Sequence, residues 1–463
     1  MRRLHSPAVR LEAAALWKLA WPILIGQLAT VGMGVADVAM AGHASAQDLA
    51  GVALGVSIWH IVIVTLMGAL MAVSPIVSQH VGAGELAQIP RVVRQALWKA
   101  LGLGLLAMLV ANAAALVFAH LGIEPAVRVL AEDFVLVISF ALPAFCCYRV
   151  LYGYSTSVNQ TKPMMVIALL ALALNIGVNW LLVFGNLGFP RLGGVGCAWA
   201  TLLCVWFDLL AIVWWIRRSP AYRQTQPFAR FERPHWPDIR ALLRIGLPIG
   251  VTYFAETSAF SLIALLVAGF GTVQVAAHQV ALNFTSLVFM LPMSLGLALL
   301  TRVGQALGAG EPGAARFRAW VGVAMALVIA LVSAVLMAWF SSRIANAYTP
   351  DTAVAALAAQ LLVLAAVFQL SDATQVCASC AIRAYKITRL PMLIHLTAFW
   401  GLSLPLGVVL GLAPMWLPWR PVEAMGAQGF WLALIVGLTL AALALTWLLN
   451  RLSLQWVRAA PAG

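Results

Sequence analysis

Twelve long apolar stretches, each close to the thickness of a bilayer, restrict what this chain can fold into. A membrane-spanning helix needs about 20 apolar residues. Lipid offers no partner to backbone N–H and C=O groups, so each stretch is predicted to be helical. We therefore expect an all-α integral membrane protein with twelve transmembrane helices. The approximate limits are 14–39, 47–73, 95–119, 129–150, 163–185, 195–216, 241–268, 275–300, 319–341, 353–378, 391–413 and 427–450.

The composition agrees with a membrane environment and argues against other classes of protein. Of the 463 residues, 63% are hydrophobic and 9% are charged, whereas soluble domains carry about 25% charged residues. The net charge of +13 does not predict nucleic-acid binding, because the Arg residues lie between apolar stretches and form no single basic face. No nucleophile–base pair or metal-binding constellation is visible, so we expect neither an enzyme nor a cofactor. We expect a monomer in contact with membrane lipids.

The Lys and Arg residues predict how the chain is oriented in the membrane. Cytoplasmic loops are enriched in Lys and Arg. If both termini are cytoplasmic, all but four of the 28 Lys and Arg residues fall on the cytoplasmic side. Both termini are therefore predicted to be cytoplasmic, with Lys99 and Arg383 counted on that side. The four exceptions are Arg128, Arg191, Arg343 and Arg420.

The two halves of the chain repeat each other at an offset of 226 residues. Leu16–Pro22 matches Leu242–Pro248, and Val77–Glu85 matches Val303–Glu311. Each half contains six spans, so the repeats are expected to be related by a pseudo-two-fold axis along the membrane normal. The Gly-Ala-Gly-Glu segments of the repeat are predicted to be tight turns, because they lack the neighbouring residues of a phosphate-binding loop.

A hydrophilic segment of about 217–244 separates the halves and is interpreted as a cytoplasmic linker. We accordingly predict two domains. Residues 1–225 hold the first six-helix bundle and the start of the linker, and residues 226–463 hold the end of the linker and the second bundle.

Three acidic residues inside apolar stretches are the strongest indication of function. Asp37, Glu256 and Asp372 lie in the first, seventh and tenth stretches. A charge at the centre of a membrane helix costs about 2.5–3.5 kcal/mol on insertion scales, and such residues mark ion or substrate pathways. Alternatively, the acids stay protonated and hydrogen-bond neighbouring helices. A fourth acid, Asp208, has bulky apolar neighbours, which favours a structural or snorkelling side chain.

The second half is predicted to contain a cation site. Glu256 shares a helix face with Tyr253, and Asp372 shares one with Gln375. Two carboxylates close together readily hold a proton or a hard monovalent cation. If the seventh and tenth spans are neighbours, Glu256 and Asp372 could form one site for a coupling cation, Na⁺ or H⁺, or for a cationic substrate. They would be the metal ligands if the cation is Na⁺.

The first half is predicted to contain an acidic and polar site. Asn175 and Asn179 are four residues apart and share a face of the fifth span. They either extend a site around Asp37 or join helices through hydrogen bonds between their amides. The sequence leaves both interpretations open.

At these residues the chain resembles the MATE (multidrug and toxic compound extrusion) transporters, in particular the NorM subfamily. The resemblance covers essentially the whole chain. The motifs that carry it are Trp21-Pro22, Gly34–His43, Gly246–Gly250 with Glu256, Ala276–Asn283, Leu291–Ser294, Asp372–Val376 and Arg383–Lys386.

The resemblance implies a MATE-type fold, a bacterial cytoplasmic (inner) membrane location and secondary active multidrug efflux. Cationic lipophilic drugs would leave in exchange for inward Na⁺ or H⁺, with alternating access between two lobes. Glu256 and Asp372 would form the second-half cation site, and Asp37 would be the first-half acid. Members of the family often have a tyrosine near the second-half site, whereas here the nearby positions are Phe289 and Phe368. Possible substrate or cation neighbours are Tyr253, Asn283, Phe289, Phe368 and Gln375.

Functions of other classes are less consistent with the sequence. A flippase for lipid-linked precursors would need a basic cleft for anionic headgroups, whereas the intramembrane charges are acidic. A channel would need a symmetric polar ring or filter, and the sequence shows none.

Overall fold

The computed structural model describes residues 7–120, 122–413 and 423–459, and within these ranges the regular structure is helical throughout. The predicted loop residue Arg420 lies outside them. The helices are α1 (Pro7–Ala44), α2 (Ala46–Leu70), α3 (Val73–Gly82), α4 (Ile89–Ala115), α5 (Pro125–Ser139), α6 (Leu142–Ser157), α7 (Lys162–Phe184), α8 (Gly194–Arg218), α9 (Trp236–Ala268), α10 (Thr272–Gly308), α11 (Pro312–Trp339), α12 (Ser341–Tyr348), α13 (Thr352–Ala384), α14 (Arg389–Leu396), α15 (Leu404–Leu412) and α16 (Ala427–Ala459).

The predicted number of membrane spans is confirmed, with one span bent. By length and composition, 11 helical segments of the described chain are able to cross a membrane, and the pair α5 and α6 makes a twelfth with a bend of 45°. Pro143 lies in the first turn of α6. A backbone N–H there has no partner within the helix, so a proline, which lacks that N–H, is tolerated. In another span, the π-helical segment Thr397–Ser403 joins α14 to α15.

The contacts of the chain group it into two compact units. The first unit comprises Trp21–Gly250, and the second unit comprises the residues up to Ala20 together with those from Val251 onward. The division falls inside α1 and α9, within two residues of Pro22 and Pro248, which lie in the interiors of these helices. The domain boundary predicted at 225/226 and the pseudo-two-fold axis stay predictions.

The sequence repeat produces matching tight turns, as predicted. Gly84 and Gly310 have φ values of +72° and +75°, a left-handed conformation that glycine adopts without steric cost. The next residue behaves alike in both turns: the N–H of Glu85 donates to His80 O, and that of Glu311 donates to Ala306 O, each at 3.0 Å. These loops therefore end helices and do not form phosphate cradles.

The linker is shorter than predicted and is fastened to α4. Only residues 219–235 lie between α8 and α9. The buried amide of Gln95 binds this segment twice, donating to Arg233 O at 3.0 Å and accepting from the N–H of His235 at 2.7 Å. Arg94 donates to Glu232 at 2.9 Å, and this contact lowers the pKa of Glu232 from its usual value. The segment is thus a docked connection.

Glycines allow α9 to approach α2 closely within the first unit. A side chain on Gly246 would overlap the carbonyl oxygen of Ala69, and one on Gly68 would lie 2.6 Å from the Cα of Gly250. The same carbonyl accepts a hydrogen bond of 3.0 Å from Lys99. Lys99, which is counted with the cytoplasmic cations, is buried in the protein, and its ammonium group satisfies this interior acceptor. The side of the membrane on which it lies stays a prediction.

Replacing Gly246 with valine is expected to lower the thermal unfolding midpoint of the detergent-purified protein. Overpacking costs about 1–3 kcal/mol, and here the obstructing atom belongs to the backbone, which cannot rotate away. Gly102→Val is the matched control, since a Cβ at Gly102 meets no atom of the described residues within 4 Å. Tryptophan fluorescence during heating measures the effect; an equal midpoint in both variants would contradict the close approach.

Candidate functional site

The second unit contains a small pocket built around Glu256. Tyr253 and Glu256 of α9 line it together with Phe289 of α10, Arg383 of α13 and His395 of α14. The space that it encloses is about 10 Å³, which is room for about one water-sized sphere and far too small for a drug-sized ligand. The size and the charged lining suit a proton or a small ion better than a large apolar molecule.

Asp372 is tied to this pocket by Gln375. The Gln375 amide donates to Asp372 Oδ1 at 3.1 Å, and its oxygen lies 2.6 Å from His395 Nε2. The other ring nitrogen of His395 lies 2.6 Å from the carbonyl oxygen of Pro391. Asp372, Gln375 and His395 are all at most 3% exposed. The two predicted carboxylates therefore belong to one local network, since Asp372 also interacts electrostatically with Glu256.

Asn283 and Phe368, two of the predicted substrate or cation neighbours, do not line this pocket, which corrects their predicted position. Asn283 is exposed and accepts a hydrogen bond of 3.0 Å from Tyr348. Phe368 packs edge-to-face on Phe260 and Trp431, with ring centroids 6.1 and 5.7 Å apart. In each case the side chain faces a partner that sequence spacing does not reveal. Tyr253, Phe289 and Gln375 do line the pocket.

Arg383 is the pocket residue that sequence reasoning placed wrongly. The sequence pattern predicts Arg383 to be a cytoplasmic loop cation, but α13 continues to Ala384 and leaves Arg383 only 5% exposed. Its Nη1 donates to Tyr253 Oη at 3.4 Å, and its Cζ lies 5.3 Å from the Tyr253 ring centroid. The helical stripe of Asp372 and Ser379 continues to Arg383 at intervals of seven and four residues, so extending it would have found this cation.

The first unit holds a second site, centred on Asp37. Its Oδ1 accepts from Asn179 at 2.6 Å and from Asn175 at 3.1 Å, and its Oδ2 accepts from Thr201 at 2.7 Å. Both asparagines are fully buried, and Asp37 is 7% exposed. In the described part of the chain, Asn179 Oδ1 is a buried oxygen without a hydrogen-bond partner. The amides therefore surround the acid, and they also contact each other at 3.1 Å.

Thr201 is the member of this site that the sequence analysis missed. It lies on α8, one turn after Cys197, whose Sγ is 3.4 Å from the backbone oxygen of Asp37. Small or polar residues recur on α8 at Gly194, Cys197 and Thr201, at the three- and four-residue spacing of one helix face. The helix-face spacing that groups Asn175 with Asn179 would have included Thr201.

Asp208 is buried, so the snorkelling side chain that the sequence allowed is wrong and the structural interpretation is kept. Asp208 is 7% exposed, because it lies on the packed face of α8. Tyr148 and Cys204 are close enough to interact with it electrostatically. Among the described residues, its Oδ1 has no hydrogen-bond partner.

Replacing Asp208 with leucine is expected to stabilise the protein without reducing transport. A buried polar group without a partner costs about 1–3 kcal/mol, and leucine removes that cost. The thermal midpoint should rise relative to Asp208→Asn, which keeps a polar group at the position. Transport lost from well-folded Asp208→Leu protein would contradict a structural role.

Neither site has the geometry of a transition-metal centre. Within the described residues, no group of three or more His, Cys, Asp or Glu side chains is arranged to hold a metal ion. The oxygens of Glu256, Asp372 and Asp37 are hard ligands, which suit a proton or Na⁺.

Comparison with known proteins assigns the family. The family model MatE matches residues 22–181 and 248–409, one segment in each half of the chain. The chain belongs to the MatE family. Both candidate sites draw on these segments, since Asp37 lies in the first match, and Glu256 and Asp372 lie in the second.

Curated MatE relatives match the chain along nearly its whole length. The multidrug resistance protein PmpM of Pseudomonas aeruginosa is 44% identical over 456 residues, covering 97% of this chain and 94% of the relative. The multidrug resistance protein MdtK of Yersinia pseudotuberculosis is 40% identical, covering 98% and 97%. The probable multidrug resistance protein NorM of Neisseria meningitidis serogroup B is 38% identical, covering 99% and 98%.

Solved structures of MATE transporters share the fold. The eukaryotic transporter AtDTX14 superposes with a TM-score of 0.87 at 18% identity, covering 98% of this chain and all of that chain. An outward-facing multidrug resistance MATE transporter of the MOP superfamily superposes with a TM-score of 0.84 at 18% identity, covering 97% and 99%. The predicted MATE-type helical fold is therefore confirmed, and membership of the MatE family makes the chain a transporter and not an enzyme.

Proposed function

We propose that this protein exports cationic lipophilic compounds by antiport against Na⁺ or H⁺. The observation that carries the proposal is the pocket of the second unit, which Glu256 and Gln375 line inside membrane-spanning helices and to which Gln375 links Asp372 by a hydrogen bond. Carboxylates retained at this depth mark ion pathways. The names of the relatives PmpM, MdtK and NorM, all multidrug resistance proteins, support multidrug compounds as the exported class.

The two sites divide the work in this proposal. The pocket around Glu256 and Asp372 takes the coupling ion, because it is small and lined by charged side chains. Asp37 supplies a negative charge to a cationic drug or to a further ion, and Asn175, Asn179 and Thr201 hold its carboxylate in place. Substrate and ion thus need not compete for the same carboxylate.

The coupling ion drives the cycle through its differential affinity for the two orientations of the transporter. A ligand shifts a conformational equilibrium only by that difference. Inward movement of one positive charge releases about 2.3 kcal/mol per 100 mV of membrane potential. Outward movement of a monovalent cationic drug costs the same amount, so a one-for-one exchange is driven by the concentration gradient of the coupling ion. In the proposed alternating-access cycle, the chain works as a monomer surrounded by lipid in the bacterial inner membrane, with both termini cytoplasmic.

Imposed ion gradients in everted vesicles test the proposal and identify the ion. A Na⁺ gradient and a H⁺ gradient, each directed out of the vesicle, are imposed one at a time. We expect a fluorescent lipophilic cation to accumulate in the vesicles with the gradient of the coupling ion, and not when neither gradient is present. Vesicles without the protein are the control. Equal accumulation with and without ion gradients would exclude antiport.

A further inference from the structure

Arg383 is a buried cation inside the proposed ion pocket. It lines the same space as Glu256 and interacts electrostatically with that carboxylate. Among the described residues, the ion pairs within 4.0 Å do not include Arg383. In the described part of the chain, the guanidinium is therefore near Glu256 without forming an ion pair with it or with Asp372.

Tyr253 explains this position. The guanidinium lies over the Tyr253 ring, 5.3 Å from its centroid, and donates to the phenol oxygen at 3.4 Å. A cation over an aromatic face is attracted by the ring quadrupole. Tyr253 thus holds Arg383 beside the pocket and leaves the oxygens of Glu256, which lines the pocket, available to an incoming cation.

The charges of the pocket set how much positive charge it accepts. If both carboxylates were ionised, they and the one guanidinium would leave a net charge of minus one, because guanidinium groups remain protonated in proteins. One proton or one monovalent cation neutralises that charge. Two carboxylates alone would also suit Ca²⁺ or Mg²⁺, which prefer carboxylate oxygens, and rejecting such competitors requires a repulsive element.

We propose that Arg383 is a fixed internal cation that limits the pocket to one monovalent positive charge per cycle and excludes divalent cations. This inference rests on the proposed antiport, and it assigns a specificity role to a residue that touches neither carboxylate. Tyr253 is the positioning residue for Arg383.

Binding of divalent cations to the full-length protein in detergent tests the inference without requiring transport. Calorimetry with Ca²⁺ and with Mg²⁺ compares wild type with Arg383→Gln, Arg383→Lys and the control Arg389→Gln, an exposed Arg six residues further along the chain. We expect Arg383→Gln to bind Ca²⁺ at least about tenfold more tightly than wild type, because the repulsive charge is gone. Arg383→Lys and Arg389→Gln should bind like wild type.

Transport in proteoliposomes provides the second readout. For wild type, we expect efflux to be insensitive to Ca²⁺. We also expect one monovalent coupling ion to enter for each drug molecule exported, as measured by the reversal-potential method. Arg383→Gln should become sensitive to Ca²⁺, while Arg383→Lys should keep the wild-type stoichiometry. Tyr253→Phe keeps the ring but removes the phenol contact, and it should show an intermediate Ca²⁺ affinity.

Each outcome decides one of the two claims. Wild-type Ca²⁺ affinity and stoichiometry in folded Arg383→Gln protein would overturn the role of Arg383, even if antiport proceeds normally. Enhanced Ca²⁺ binding by Arg383→Lys would overturn it as well, and this variant decides the matter if Arg383→Gln fails to fold. Absence of ion-driven efflux in wild type would refute the proposed antiport, and the Ca²⁺ comparison would still test the charge of the pocket.

Discussion

Glu256→Gln and Asp372→Asn are each expected to reduce ion-driven efflux by about 30-fold or more. Removing either negative charge leaves one carboxylate opposite Arg383, so the pocket no longer has net negative charge to attract a cation. Truncating one partner of a buried charged contact costs about 2–5 kcal/mol, and 1.4 kcal/mol corresponds to about tenfold. Uptake of a lipophilic cation into everted vesicles, driven by whichever ion supports wild-type transport, measures the loss.

A matched substitution separates this effect from general damage. Glu311→Gln makes the same chemical change at an exposed turn of the same unit and should transport like wild type. Gln and Asn keep the side-chain volume, so elution from a sizing column and the thermal midpoint should stay close to the wild-type values. Wild-type transport by both Glu256→Gln and Asp372→Asn would remove the basis for the ion site.

Asp37→Asn is expected to weaken binding of a lipophilic cation by about tenfold or more while the fold is kept. The amide oxygen at this position can still accept from Asn175 and Asn179, and the Thr201 hydroxyl can rotate to accept from the new N–H. The hydrogen bonds are therefore largely conserved and the negative charge is lost. Because 1.4 kcal/mol corresponds to tenfold in affinity, loss of one charge-assisted contact, worth about 1.5–3 kcal/mol, is sufficient.

Equilibrium binding of tetraphenylphosphonium to the purified protein measures this second effect. Asp133→Asn, an exposed acid of the same unit, is the control and should bind like wild type. The binding of the coupling ion to the Glu256 pocket should persist in Asp37→Asn if the sites divide the work. Unchanged affinity for tetraphenylphosphonium would exclude Asp37 as a drug contact. Its role would then be to bind an ion or to stabilise the fold.

Periodicity along the chain was enough to predict much of each candidate site. Asp37, Asn175 and Asn179 do meet, and Asp372 and Gln375 do hydrogen-bond, because residues three and four apart share a helix face. Arg383 and Thr201 obey the same rule. They were missed because a cation near a span end resembles a topology signal, and because a lone threonine is common in membrane helices.

Partners on different helices were beyond the reach of the sequence. Asn283 belongs to a motif shared with the family, yet it faces Tyr348, and Phe368 faces an aromatic cluster. Which way each helix face points depends on packing against neighbouring helices, and apolar composition leaves this rotation undetermined.

The sequence by itself determined the number of spans, the internal repeat with its turns, and which acids lie at membrane depth. These features are local: span length follows from bilayer thickness, and the cost of a charge in lipid follows from its position along an apolar stretch. Only the tertiary structure decided that Arg383 lies in the pocket beside Glu256, that Thr201 completes the Asp37 site, and that Asp208 is buried without a hydrogen bond to its Oδ1. Those outcomes depend on helix bends, helix ends and rotations, which are fixed when the helices pack together.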